Sequence, residues 1–253
     1  MHRARPAADN DCNGRGSARA CPPTPTCQTA DVRALIFDLD GTLVDTVYPH
    51  VLALQQALAE AGVQVSGWLV HRRIGMSGGL SARALAREIG RSLSPAEQER
   101  LQRRHGEIYR ALLPEPRPLP GALELIRWLR ESGVPFGIAT SGRHPDIDLP
   151  LSILDLPADL VIVSRGDVLR AKPEPDLFLA CQERMGVQRE DVCVVGDAVW
   201  DLLAARRAGM LSVGLLSGGY GTDELVQAGA FRVYRDPQEL LDSLDELGIP
   251  VPG

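Results

Sequence analysis

Short apolar runs that stop abruptly at small polar residues recur along this chain, and they constrain its fold more than any other feature. They are VRALIFDLDG (32–41), VPFGIATSG (134–142), ADLVIVSRGD (158–167), DVCVVGD (191–197) and MLSVGLLSGG (210–219), with FRVY (231–234) as a sixth. Short apolar runs of this kind, without strict alternation, read as strands buried on both faces, as in a parallel sheet. Helical patterns lie between them, and three end on a glycine: 121–133 at Gly133, 174–186 at Gly186 and 199–209 at Gly209. Glycine there suits a helix C-cap. Strands alternating with helices predict an α/β fold with a doubly wound parallel sheet.

Residues 48–116 break the rhythm. YPHVLALQQALAEAG, GGLSARALAREIG and SPAEQERLQRRHGEIYRALL read as helices, with little strand signal, and the proline-rich PEPRPLPG (114–121) closes the stretch. The expected organisation is therefore an α/β core built from 31–47 and 117–253, with a helical domain (48–116) inserted after the first strand. Residues 1–30 are rich in Pro, Ala, Arg and small polar residues, lack a signal-like apolar stretch, and read as a disordered extension.

Charge and cysteine usage exclude several function classes. The net charge is −6, and the first 30 residues carry four arginines against two aspartates, leaving about −8 on the body. An acidic body argues against nucleic-acid binding. No apolar run reaches the length of a membrane span. Cys12, Cys21 and Cys27 match no zinc spacing, while Cys181 and Cys193 fall in core patterns. The expectation is a reduced, cytoplasmic protein, monomer or homodimer.

In open parallel sheets, ligands bind beyond the carboxyl ends of the strands. The polar residues there are Asp38 and Asp40 after the first run, Thr140, Ser141 and Gly142 after the second, and Asp197 after the fourth, with Asp201 four residues on. Lys172, in the loop system after the third run, is the only lysine; the other 26 basic side chains are arginine. Clustered carboxylates suit a hard cation such as Mg²⁺. A hydroxyl and backbone amides after a strand suit phosphate oxygens. Lysine is a compact point charge, so it fits between a carboxylate and a phosphoryl oxygen where a planar guanidinium would crowd them.

DLDGTLVDT (38–46), TSG (140–142), KP (172–173) and GDAVWD (196–201), in this order, resemble the four motifs of the haloacid dehalogenase-like phosphohydrolases. The resemblance spans roughly residues 32–240. It is nearest the phosphoglycolate phosphatase and β-phosphoglucomutase branch, and it implies a Rossmann-like core with a helical cap of the C1 type. It also implies that Asp38 is the nucleophile and Asp40 the general acid and base. Mg²⁺ would bind Asp38, the backbone carbonyl of Asp40, and Asp197, while Asp201 orients the loop or the metal's water. Thr140, Ser141, Gly142 and Lys172 would hold the phosphate of a small phosphorylated metabolite. Haloacid dehalogenases proper lack an aspartate at the position of Asp40, so its presence favours phosphate esters. The alternatives are a phosphomutase of the β-phosphoglucomutase type and a non-catalytic binding protein on the same fold.

Other features weigh less. HRRIG (71–75) makes Arg72, Arg73 and Gly75 candidates for contact with the non-reacting end of the substrate. GMSGG (75–79) matches a G-x-S-x-G nucleophile elbow on paper, but it lacks the preceding strand and reads as a loop facing the active site. His50, His71, His105 and His144 read as surface or cap residues. Thr42 reads as loop support, and Asp45 with Thr46 as shaping the turn into the cap. Trp68, Trp128 and Trp200 read as packing anchors, with Trp200 also a candidate for the pocket wall. No Walker A motif and no well-placed G-x-G-x-x-G is present.

Overall fold

The computed structural model describes residues 32–113 and 115–249; the predicted extension and its three cysteines lie outside this range. The chain runs β1 (Ala34–Phe37), α1 (Val47–Glu60), α2 (Gly67–His71), α3 (Gly78–Glu88), α4 (Pro95–Leu112), α5 (Ala122–Ser132), β2 (Phe136–Ala139), α6 (Asp148–Ser152), β3 (Val161–Val163), α7 (Asp176–Met185), β4 (Val192–Gly196), α8 (Val199–Ala208), β5 (Leu211–Leu215), α9 (Thr222–Ala228), β6 (Arg232–Tyr234) and α10 (Pro237–Asp242). All six strands are parallel, in the order β3-β2-β1-β4-β5-β6. This is the predicted doubly wound α/β, Rossmann-like sheet.

β1 sits in the middle, and its four residues are buried. Leu35 and Phe37 join one apolar cluster with Leu125, Ile126 and Leu129 of α5 and Leu240 of α10. Ala34 and Ile36 join the opposite cluster with Leu177 and Phe178 of α7 and Ala204 and Ala205 of α8. Both faces of the strand are covered, which is why its sequence is apolar throughout. The helices α5, α7 and α8 end at Gly133, Gly186 and Gly209, each left-handed as a C-cap requires.

α1 to α4 pack on one another around a separate core that includes Val51, Leu54, Leu58, Val70, Leu85, Leu101 and Ile108. α4 starts at a capping box, Ser94 with Glu97, and carries Pro95 in its first turn. The two connections between this helical body and the sheet run side by side. Asp45 N–H donates to the Arg117 carbonyl at 2.9 Å, and Leu119 N–H to the Leu43 carbonyl at 2.9 Å. After β3 the chain crosses back over β1 to β4, so the strand order reverses between β1 and β4. A crevice at such a reversal is where open α/β sheets bind ligands.

Candidate active site

Asp38 leaves the end of β1 and Asp197 the end of β4, on either side of that reversal. Lys172 reaches them from the loop before α7. Its Nζ lies 2.5 Å from Asp38 Oδ1 and 2.8 Å from Asp201 Oδ1, and the side chain is 0 % exposed. Its nitrogen also lies 5.0 Å from the centre of the Phe178 ring. Burial alone would discharge this ammonium, but Asp201 and Asp38 outweigh it and raise its pKa. Asp201 stands in the first turn of α8, where its Oδ2 accepts from the Ala198 amide at 3.0 Å. Both of its oxygens are engaged, which fits a positioning role.

Oxygens of Asp38, Asp197 and Asp201 all lie within 4.8 Å of one another. Three buried carboxylates face one ammonium, an excess of negative charge in a dry site. Accordingly, burial lifts the pKa of Asp38 to about 7, with Lys172 opposing and Asp201 and Asp40 adding to the rise. Burial and the neighbouring Asp201 and Asp38 likewise push Asp197 well above the usual carboxylate range. Asp197 Oδ1 accepts from the Thr42 hydroxyl at 2.8 Å, so Thr42 does more than support its loop. Glycines crowd the other oxygen: a Cβ on Gly218 would stand 2.0 Å from Asp197 Oδ2, and one on Gly41, at φ +82°, 2.5 Å away. An all-oxygen donor set with surplus negative charge, held in a close backbone cradle, fits a hard divalent cation.

Asp40 has a different environment. The Thr46 hydroxyl donates to its Oδ1 at 2.6 Å, and His50 Nε2 lies 3.3 Å from the same oxygen. Burial works against ionisation here, but His50, Thr46 and Lys172 outweigh it and lower the pKa. His50 stacks on Tyr109 at 3.8 Å, and its Nδ1 lies 3.2 Å from His105 Nε2. Burial and His50 push His105 down to about 3. Sequence reasoning placed His50 and His105 in the cap but missed their part in the site. One signal was available: Thr46 and His50 are four residues apart at the start of α1, on one helix face.

Between sheet and helical body lies a cavity of about 120 Å³, lined by residues from both. The core contributes Asp38, Asp40, Thr140, Ser141, Gly142, Arg143 and Arg165; the helical body contributes His50, Ile74, Gly75, Met76, Gln102 and His105. The Thr140 hydroxyl accepts from the Gly142 amide at 2.9 Å, which leaves its own proton to donate. Ser141 donates its hydroxyl proton to the Gly75 carbonyl at 3.0 Å, tying the core loop to the GMSGG loop. That loop faces the cavity as expected and follows α2, not a strand, so it is no nucleophile elbow.

Arg72, Arg73 and Trp200 do not line this cavity. The Arg72 guanidinium pairs with Glu224 at 2.8 Å and lies over Tyr220, while Arg73 pairs with Glu88. Trp200 donates its indole proton to the Arg72 carbonyl at 3.1 Å. Trp68, expected as a packing anchor, is 67 % exposed.

The family model for haloacid dehalogenase-like hydrolases matches residues 32–209. The chain belongs to that family. This hydrolase is 33 % identical over 229 residues to a phosphoglycolate phosphatase of Rhodospirillum rubrum, covering 87 % of this chain and 93 % of the relative. A solved hydrolase from Pseudomonas syringae superposes with a TM-score of 0.82 at 46 % identity, over 87 % of this chain and 99 % of that one. A β-phosphoglucomutase from Clostridium difficile shares the fold, with a TM-score of 0.75 at 23 % identity over 86 % and 97 % of the two chains. No helix among the described residues is long and apolar enough to cross a membrane.

Proposed function

We propose that this hydrolase is a Mg²⁺-dependent phosphatase that cleaves a small phosphate ester of the phosphoglycolate type through an aspartyl-phosphate on Asp38. One observation carries the reading. Two carboxylates two residues apart face the same cavity in different environments: Asp38 is locked to a buried ammonium, and Asp40 is held by a hydroxyl and an imidazole. Divergent environments for paired carboxylates mark a division of labour between nucleophile and acid–base.

Lys172 holds Asp38 Oδ1, which leaves the other oxygen to attack phosphorus. As that bond forms, the ester P–O bond breaks, and the leaving oxygen takes a proton from Asp40. In the ligand-free site Asp40 favours the ionised form. An arriving phosphate adds like charge beside it and raises its proton affinity. In the second half, Asp40 takes a proton from water as the water attacks phosphorus, and the Asp38–phosphate bond breaks to release inorganic phosphate. Thr140 donates to a phosphoryl oxygen. A divalent ion held by Asp38, Asp197 and the carbonyl of Asp40 would supply charge neutralisation between carboxylate and phosphate. Residues 48–116, with their own core, act as a cap over this site, and the side-by-side connections at 43–45 and 117–119 form its hinge.

The test is phosphate release from a panel of small esters with Mg²⁺, with chelator, and with Asp38→Asn. Metal-dependent release that the variant loses is the expected result. Turnover that instead requires a sugar bisphosphate activator would move the reading to a phosphomutase. Release that survives Asp38→Asn would overturn the aspartyl-phosphate.

A further inference from the structure

Two arginines in the cavity wall have no role in the chemistry above. Arg143 directly follows Gly142 at the end of the Thr140–Gly142 loop. Arg165 follows β3, and its amide donates to the Gly142 carbonyl at 2.9 Å. Both therefore flank the same end of the phosphate-side loop, and both line the cavity that holds Asp38 and Asp40.

Among the described residues, neither guanidinium forms an ion pair with a carboxylate. The Arg165 fork donates from Nη1 to the Val168 carbonyl at 2.6 Å and from Nη2 to the Leu169 carbonyl at 3.2 Å, both neutral acceptors. Its Nε is buried with no hydrogen-bond partner. Among the described residues, the Arg143 guanidinium has no ion-pair partner. The nearby carboxylates are taken: Asp146 by Arg110, and Asp176 by Arg170 at 3.2 Å. Burial, and then the Arg143 charge, lower the pKa of Arg165, with Asp176 opposing. Pinning its own loop would account for the two Nη contacts of Arg165. It accounts neither for the orphaned Nε nor for a second guanidinium, the exposed Arg143, lining the same cavity with no carboxylate partner among the described residues. A buried N–H left unmade costs free energy unless a ligand supplies the acceptor.

We propose that Arg165, with Arg143 beside it, binds a second anionic group on the substrate, a carboxylate or phosphate at the end opposite the scissile ester. The inference deepens the phosphatase reading and rests on it for the location of the reacting phosphate. It makes this hydrolase selective for small esters that carry two negative ends. It also assigns to two core loops the selectivity for which the sequence makes Arg72, Arg73 and Gly75 candidates; of these three, Gly75 alone lines the cavity.

The test is a specificity ratio measured on the Mg²⁺-loaded enzyme. The kcat/KM for 2-phosphoglycolate is divided by that for 2-hydroxyethyl phosphate, which matches its size and ends in a neutral hydroxyl. A glycol bisphosphate ester serves as the phosphate-ended arm. The wild type is expected to favour an anionic end, and the favoured arm tells carboxylate from phosphate. Arg165→Met is expected to reduce that ratio by about 10- to 100-fold, as loss of a charge-assisted bond does, and Arg143→Gln by less. Arg165→Lys is expected to recover part of it. A wild-type ratio near unity, or an equal loss on both esters in Arg165→Met, would overturn the proposal and leave Arg165 a loop clamp. If the wild type hydrolyses none of these esters, the phosphatase reading fails separately. The anion site is then decided by calorimetric binding of phosphonoacetate against methylphosphonate. A preference for phosphonoacetate that Arg165→Met abolishes sustains the site, and no preference sinks it.

Discussion

Lys172 shares one ammonium between two carboxylates with no solvent contact, and this geometry makes its identity hard to change. A guanidinium is wider, planar and forked, so Lys172→Arg is expected to lower kcat by about 100-fold or more. Lys172→Met leaves Asp38 and Asp201 buried without their cation, and unfolding in urea should show a loss of about 3–5 kcal/mol. Near-wild-type kcat in Lys172→Arg would mean the site tolerates a fork and the ammonium is not a spacer. Thr46 offers a second check. Its hydroxyl favours ionised Asp40, so Thr46→Val should raise the pKa of Asp40 and move the limb of the kcat/KM profile on which this acid loses its proton, the alkaline one, to higher pH. An unmoved limb would remove Asp40 as the acid seen in that profile. At this scale Asp38, Asp40, Thr140, Ser141, Gly142 and Asp197 were legible because each follows a strand end, where chemistry type and position are both readable, while Lys172 stood out as the only lysine of the sequence. His50 and His105 were not legible in the same way, because they reach the cavity from helices that only the tertiary fold brings over β1. Arg143 and Arg165 do stand just past β2 and β3, but as two of 26 arginines outside the four motifs nothing in the sequence singled them out.

α2 and the loops after β4 and β5 form a latch between the helical body and the sheet. His71 Nε2 donates to the Gly218 carbonyl at 2.8 Å, and the Arg72 carbonyl accepts from Trp200 and from the Tyr220 hydroxyl at 3.2 Å. The Arg72–Glu224 pair at its rim is more than a third exposed on both sides, and such pairs contribute about 1 kcal/mol or less. Arg72→Ala is therefore expected to raise KM by no more than about fivefold, equally for all esters, with the effect shrinking as salt is added. A larger loss confined to esters with an anionic end would return Arg72 to substrate contact. The longer elements here were readable in advance. α5, α7 and α8 carry periodic patterns closed by left-handed glycines, and β1 and β4 are apolar on both faces. α2 was not, because five residues make fewer than two turns and show no period. α6, α9 and α10 are short for the same reason, and exposed Trp68 on α2 shows that a large aromatic need not mark a core position.

Across the whole molecule, the raised carboxylates couple folding to protons and to metal. In the ligand-free fold Asp38 titrates near 7, and Asp197 is also lifted far above its ordinary value. A folded chain with raised carboxylate pKa values binds more protons than the unfolded chain. Their contribution therefore favours folding at low pH and is lost as pH rises from the ordinary carboxylate value near 4 through about 7. Asp40 runs the other way, since its pKa is lowered and its stabilisation fades only on acidification below the ordinary value. A divalent cation takes the place of the protons on the buried cluster, so the two compete. Metal affinity should rise with pH, and binding to the folded state alone stabilises by RT ln(1 + [L]/Kd). The rise in Tm on adding Mg²⁺ should accordingly be larger near pH 8 than near pH 5.5. Taking the difference with and without metal at each pH cancels every titrating group remote from the site. Asp197→Asn should abolish most of the increment at the higher pH while raising the metal-free Tm there, because it removes a buried charge that burial, Asp201 and Asp38 disfavour by more than Thr42 and Lys172 offset. An increment independent of pH would mean that the Asp38–Asp197–Asp201 cluster is not where the metal binds.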